Sequence, residues 1–271
     1  MPSLTVTIIQ PNVQWENKKA NLDMLTQKIE SIKEKTEVVI LPEMFSTGFS
    51  MQPKLLSEKM DGETIEWMKK MASSKKIILT GSVIIEEDGK YFNRLIWMLP
   101  NGEYGVYDKR HLFAFADEHN HYSAGNKRLI AQVKGWKINL QVCYDLRFPV
   151  WARQKPSPNL SPGGEGQASE YDLLVNVANW PERRSTAWKT LLRARAIENQ
   201  CYVVGVNRVG DDGNNIHYAG DSMIIDPLGE ILYQKANEED VFTYTLQKEM
   251  LEEVREKFPF WRDADSFDIL P

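Results

Sequence analysis

Short β-branched runs alternate with stretches of helical periodicity along most of this chain, and that alternation is what most limits its fold. "LTVTIIQ" (4–10) alternates as a strand does. In "NKKANLDMLTQKIESIKEK", Leu22, Leu25, Ile29 and Ile32 fall at helical spacing, with Asn17 placed to cap the helix. "EVVILPE" (37–43) is a short apolar run closed by Pro42 and an acid, and "DGETIEWMKKMASSKK" (61–76) is a second helix, starting at Asp61, with Ile65, Met68, Met71 and Ala72 on one face. "IILTGSVIIEE" (77–87) returns to strand, and Asn101-Gly102 between two β-rich runs signals a hairpin. Further strands are expected at 136–145, 171–180, 201–210, 220–234 and 240–247, with a turn at "DPLGE" and a helix over 185–200 capped by Ser185. This order predicts an α/β sandwich in which sheets pack on each other and helices cover the outside.

One stretch breaks the pattern. "RQKPSPNLSPGGEGQASE" (153–170) is rich in Pro, Gly and Ser and nearly devoid of apolar side chains, so it reads as a surface loop. Similar strands flank it on both sides, which favours an insertion within one domain spanning 1–271. The chain is 42% hydrophobic, enough to bury a sizeable core, and its net charge of -5 argues against a dedicated nucleic-acid surface. No run approaches the roughly 18 apolar residues of a membrane span, and the N-terminus lacks the basic and apolar regions of a signal peptide. The expectation is a cytoplasmic protein with neither membrane nor nucleic acid as partner. In that setting its two cysteines, Cys143 and Cys201, are not expected to pair, and they are too few for an all-cysteine zinc site.

Familiar phosphate-binding, serine-hydrolase and zinc-protease motifs are absent. "DEHNHY" (117–122) gathers Glu118, His119 and His121, but a metal site needs three or four placed ligands, and a polar loop is the simpler reading. "GDDGNN" (210–215) lacks calcium-loop spacing and reads as a turn. No metal or other cofactor is expected. Three places remain where a reactive or charged residue ends an apolar run: Glu43, Lys109 and Cys143. Ends of neighbouring strands are where sheet-based enzymes assemble side chains into one crevice. Each residue alone has a plain structural alternative: a turn acid, a solvated hairpin lysine and a small core thiol.

Taken together, "LPEMFSTGF" (41–49), "YDKRHLF" (107–113) and "CYDLRFP" (143–149) resemble the three signature blocks of the nitrilase, or carbon–nitrogen hydrolase, superfamily, in the family's order. "EHNHYSAG" (118–125), "NVANWPERR", "LLRARAIENQCYVVGVNRVG" and "GDSMIIDPLGEIL" extend the likeness over nearly the whole chain. "ANWP", "RARAIENQ" and "FPFWRDAD" look most like the ω-amidase branch, which hydrolyses monoamides of the 2-oxoglutaramate type. The resemblance implies a four-layer α-β-β-α sandwich, a homodimer to whose packing 258–267 contributes, a small amide as substrate, and a Glu43–Lys109–Cys143 triad with Glu118 in support.

Such residues have a coherent chemistry. A thiol with a reference pKa of about 8.5 needs help to attack an amide. Glu43 can take its proton, and Lys109 favours the thiolate and faces the developing oxyanion, with the Tyr144 main-chain N–H as second donor. Glu43 then protonates the leaving ammonia and activates the water that cleaves the thioester. Glu118 would orient Lys109 or the substrate amine. Arg183 and Arg184 are candidates for a distal carboxylate and Trp180 for a pocket wall, while Asp145 and Arg147 are expected to form an ion pair that fixes the nucleophile turn. The triad alone does not separate an amidase from a nitrilase or an N-carbamoyl amidohydrolase. A catalytically silent scaffold or binding subunit would have lost a triad member, and none is lost here.

Overall fold

The computed structural model describes residues 2–154, 169–265 and 267–269, so the expected surface loop at 153–170 lies almost entirely outside the described residues. The strands are β1 (Ser3–Gln10), β2 (Val38–Ile40), β3 (Ile78–Glu87), β4 (Lys90–Met98), β5 (Tyr104–Asp108), β6 (Ile130–Val133), β7 (Trp136–Val142), β8 (Leu173–Val177), β9 (Tyr202–Val206), β10 (Val209–Asp211), β11 (His217–Ile225), β12 (Ile231–Ala236) and β13 (Asp240–Gln247). The α-helices are α1 (Lys18–Glu30), α2 (Pro53–Leu56), α3 (Glu63–Lys75), α4 (Glu118–His121), α5 (Pro149–Ala152), α6 (Ser185–Asn199) and α7 (Lys248–Lys257). One mixed sheet runs β13-β1-β2-β3-β4-β5; the other runs β10-β11-β9-β8-β7-β6, with β12 on β11.

The layers follow from which side chains share a core. Leu4, Val6, Ile8, Val38 and Ile40 of the first sheet join Ile138, Leu140, Val142, Val175 and Val177 of the second in one buried cluster, so the sheets pack face to face. The alternate residues Ile9, Val39 and Leu41 face the other way, onto Leu22, Leu25 and Ile29 of α1 and Ile65, Met68 and Met71 of α3. Trp188, Leu192 and Ala196 of α6 cover the second sheet. Central strands covered on both faces read as continuous apolar runs, which is why "VVI" shows no alternation. Gly205 of β9 makes room for α6: a Cβ there would lie 2.5 Å from Leu192.

Local signals were mostly met. Asn17 caps α1, its side chain accepting from the Ala20 N–H at 3.2 Å. Two helix starts differ from expectation. The second helix begins at Glu63 behind Gly62, not at Asp61. Ser185 is the first residue of α6 rather than its cap, because its hydroxyl donates to Asp221 Oδ2 at 2.5 Å. The segment carrying His119 and His121 is the one-turn helix α4, not a loop. Among the described residues no helix is long and apolar enough to cross a membrane.

Candidate active site

Glu43 lies just beyond β2, Lys109 directly follows β5, and Cys143 directly follows β7. The first two strands belong to one sheet and β7 to the other, so strand ends from both layers meet. The chain leaves β7 abruptly. Cys143 has φ +46° and opens a 3₁₀ turn over Cys143–Arg147; Met44, after Glu43, has φ +43°. Non-glycine residues hold this left-handed conformation only where their surroundings over-determine it, and such strain gathers at reactive sites.

The three side chains are buried: Glu43 is 0% exposed, Lys109 1% and Cys143 9%. Lys109 Nζ donates to Glu43 Oε1 at 2.9 Å and to both oxygens of Glu118 at 2.9 and 3.0 Å. All three ammonium protons thus have carboxylate acceptors. Burial alone would lower the Lys109 pKa, but the charges of Glu118 and Glu43 outweigh it and hold the group protonated. Burial also pushes the Glu118 carboxyl up, with the Glu43 charge adding to it and Lys109 opposing. Glu118 receives the Phe113 N–H as well, at 2.6 Å. It therefore stands where an orienting group for Lys109 was expected.

Two asparagines complete the cluster. Asn93, in β4, donates through Nδ2 to Glu43 Oε1 at 2.8 Å and to Glu118 Oε1 at 3.3 Å. Asn179, beyond β8, gives Glu43 Oε2 its main-chain N–H at 2.8 Å, and its Nδ2 donates to the Glu43 carbonyl at 2.6 Å. Cys143 Sγ approaches the Asn179 carbonyl at 3.9 Å. Neither asparagine was expected. Asn93 could have been flagged as an amide inside the apolar run "YFNRLIWM"; Asn179 lies in the already notable "ANWP".

Burial, followed by the charge of Glu43, raises the Cys143 pKa well above its usual value, and Lys109 offsets this only in part. These surroundings favour the neutral thiol over the thiolate. Cys201, also buried, is pushed up to about 12 by its surroundings.

A cavity of about 390 Å³ opens onto Cys143 and Lys109. Tyr144, Arg147, Trp180, Arg183 and Arg184 are among the residues that line it. The expected Asp145–Arg147 ion pair does not form. Arg147 lies over the Trp180 ring at 5.1 Å, while Asp145 accepts hydrogen bonds from Tyr107, His111 and Val142. Arg184 lies over the Phe113 ring at 5.1 Å. Its pKa is lowered by burial and then by the neighbouring charge of Arg183. None of these three arginines has an ion-pair partner among the described residues. Among those residues, no cluster of three metal-binding side chains occurs either.

Residues 5–256 match the family model for carbon–nitrogen hydrolases. The chain is 45% identical to the Omega-amidase YafV of Escherichia coli (strain K12), over 99% of this chain and 100% of that one. It is 31% identical to the 2-oxoglutaramate amidase of Bacillus subtilis (strain 168), over 96% of each. Its fold superposes with a TM-score of 0.94 on XC1258 of Xanthomonas campestris, a CN-hydrolase superfamily protein with an arsenic adduct in the active site, at 45% identity over 99% of this chain and 100% of that one. Strand-end placement of the acid, lysine and thiol, the two-sheet core and near full-length similarity to such enzymes agree: the chain belongs to the carbon–nitrogen hydrolase family.

Proposed function

We propose that this protein is an ω-amidase that hydrolyses the terminal amide of a small 2-oxo dicarboxylate monoamide through a thioester on Cys143. The observation that carries the reading is the buried Glu43–Lys109–Glu118 cluster beside the Cys143 thiol, opening onto a cavity lined by Arg147, Arg183 and Arg184, none of which has an ion-pair partner among the described residues. Similarity to the ω-amidase of Escherichia coli supports the substrate class.

In this mechanism Glu43 removes the thiol proton as sulfur attacks the amide carbon. Proton uptake weakens Glu43 as an acceptor for Lys109, freeing one ammonium N–H for the oxygen that turns anionic; the Tyr144 main-chain N–H is the second donor. Glu43 next gives its proton to the departing nitrogen, and ammonia leaves as the C–N bond breaks. Water, deprotonated by Glu43, attacks the thioester, and the acid and the free thiol are restored. One carboxyl serves both half-reactions, so no histidine is needed in the transfer. Asn93 and Asn179 keep Glu43 aimed throughout.

Arg184, with Arg147 and Arg183, would take the distal carboxylate, leaving the amide at Cys143. A hydrogen bond to a charged group contributes about 1.5–3 kcal/mol. Arg184→Met should therefore lower kcat/KM for 2-oxoglutaramate about 10- to 100-fold, chiefly through KM, and barely affect an uncharged amide of similar length. Ammonia release across ω-amides with and without a distal carboxylate, N-carbamoyl amino acids and aliphatic nitriles tests the reading. Preference for nitriles or carbamoyl compounds would refute it.

The reading includes a homodimer. Val150 of α5 and Ile197 of α6 are exposed apolar side chains that a second copy could cover. Sedimentation equilibrium at micromolar concentration should show a dimer; a species of only 31.3 kDa would contradict it.

A further inference from the structure

We infer that His111 and Tyr107 are positioning residues that, through Asp145, clamp the Cys143 turn to the segment bearing Lys109. The inference rests on Cys143 acting as the nucleophile, as proposed above. Lys109 and Cys143 come from different sheets, and strand pairing cannot set one sheet's strand ends against the other's. A direct link between the two segments adds to what the face-to-face packing and the Asn179–Glu43 bonds fix.

Asp145 supplies that link. It lies two residues after Cys143 in the same turn and is 0% exposed. Its Oδ1 accepts the His111 main-chain N–H at 2.9 Å and meets His111 Nδ1 at 2.8 Å. Its Oδ2 accepts the Tyr107 hydroxyl at 2.7 Å and the Val142 N–H at 3.1 Å. An ionised carboxylate only accepts, so Nδ1 carries a proton in this arrangement. Tyr107 and His111 flank Lys109 at equal distance along the chain. The Tyr107 oxygen is held in turn by Trp151 Nε1 at 2.9 Å and by the Arg110 N–H at 3.3 Å.

The His111 ring is fixed on two sides. It stacks on Phe148 at 3.8 Å with planes 7° apart and meets Trp151 edge-on at 6.0 Å. Neither His111 nor Asp145 is among the residues lining the cavity, so their effect on catalysis must pass through the turn. That turn starts at a strained φ of +46° on Cys143, which its neighbours must maintain. If Asp145 loses a donor, the turn can relax and Sγ drifts from the attack line. A misplacement of about 1 Å can cost on the order of 10²-fold in rate.

The test compares two substitutions at one position. Asn presents a side-chain N–H near the place of Nδ1; Leu presents none. His111→Leu should lower kcat about 10- to 100-fold with KM within about threefold, and slow alkylation of Cys143 by iodoacetamide in parallel. His111→Asn should return both rates to within about threefold of the parent. A histidine that merely fills space would show no such rescue. The inference is overturned if His111→Leu keeps its kcat, or if His111→Asn is as slow as His111→Leu. Should His111→Leu fail to fold, Tyr107→Phe removes only the hydroxyl bonded to Oδ2, and unchanged kcat and alkylation there overturn the clamp equally. Alkylation needs no substrate, so a normal rate in these variants speaks against the clamp alone. Turnover surviving in Cys143→Ala speaks against the proposed function.

Discussion

Cys143→Ala is expected to abolish ammonia release, with kcat falling by a factor on the order of 10⁶, as when the nucleophile of a catalytic triad is removed. Only the sulfur is deleted, at the end of a strand whose packing residues Ile138, Leu140 and Val142 are untouched, so the fold and the melting temperature should stay close to those of the parent. Cys201→Ser serves as the control. Cys201 is buried, approaches the Arg195 carbonyl through Sγ at 3.9 Å, and is not among the residues lining the cavity. Its substitution should leave kcat intact. The resting protonation of Cys143 adds a second observable. Since burial and Glu43 hold the thiol neutral, alkylation in the parent should be slow near pH 7 and accelerate as pH rises. Appreciable turnover by Cys143→Ala would end the thioester mechanism. Alkylation already at its maximal rate at pH 6 would instead mean a preformed thiolate and leave Glu43 without its first task.

What could be read in advance divides by range. The strands, helices and chain positions of Glu43, Lys109 and Cys143 are local facts: each residue closes an apolar run, and in the fold all three lie at or just beyond strand ends. Periodicity also told α1 and α3 which face to bury, since Leu25 and Met68 repeat at the spacing of one helical stripe. Partners across the molecule were not legible. Asp145 and Arg147 are two apart and opposite in charge, so a local ion pair was the natural expectation. The turn instead sends Asp145 inward to Tyr107 and His111, more than 30 positions earlier, and Arg147 outward onto Trp180. Asn179 reaches Glu43 across 136 positions and Asn93 across 50, distances over which spacing carries no information. The upward shift of the thiol pKa was not legible for a related reason: it depends on burial and on two carboxylates that meet the sulfur only in the folded chain. The cap of α6 failed because Asp221, on a distant strand, competes for the Ser185 hydroxyl.

Lys109→Arg separates a general need for positive charge from a need for an ammonium at one point. Arginine keeps the charge, so if Lys109 only moderated the thiol pKa, activity should largely survive. The site is built for a compact head group. Lys109 is 1% exposed, and its three N–H groups reach Glu43 and Glu118 at 2.9–3.0 Å. A guanidinium is longer and planar, and its fork directs donors along fixed lines. It cannot release a single N–H toward the new oxyanion while keeping both carboxylates in place. Loss of one oxyanion donor costs about 10²–10³ in kcat, and Lys109→Arg should fall at least that far while Cys143 remains alkylatable. Lys109→Met tests the same cluster through stability. It leaves Glu43 and Glu118 buried without their cation, a change that costs about 3–5 kcal/mol. The folded-state pKa of Glu118 is already raised by burial and by Glu43, and losing Lys109 raises it further. A group whose folded pKa lies above its unfolded value stabilises the protein at low pH and loses that contribution as pH climbs through the folded pKa. Lys109→Met should therefore melt closest to the parent in mild acid and fall increasingly behind it as pH rises. Near-parental turnover by Lys109→Arg would refute the oxyanion role, and a melting deficit in Lys109→Met that shrinks with rising pH would refute the charge arrangement on which that role depends.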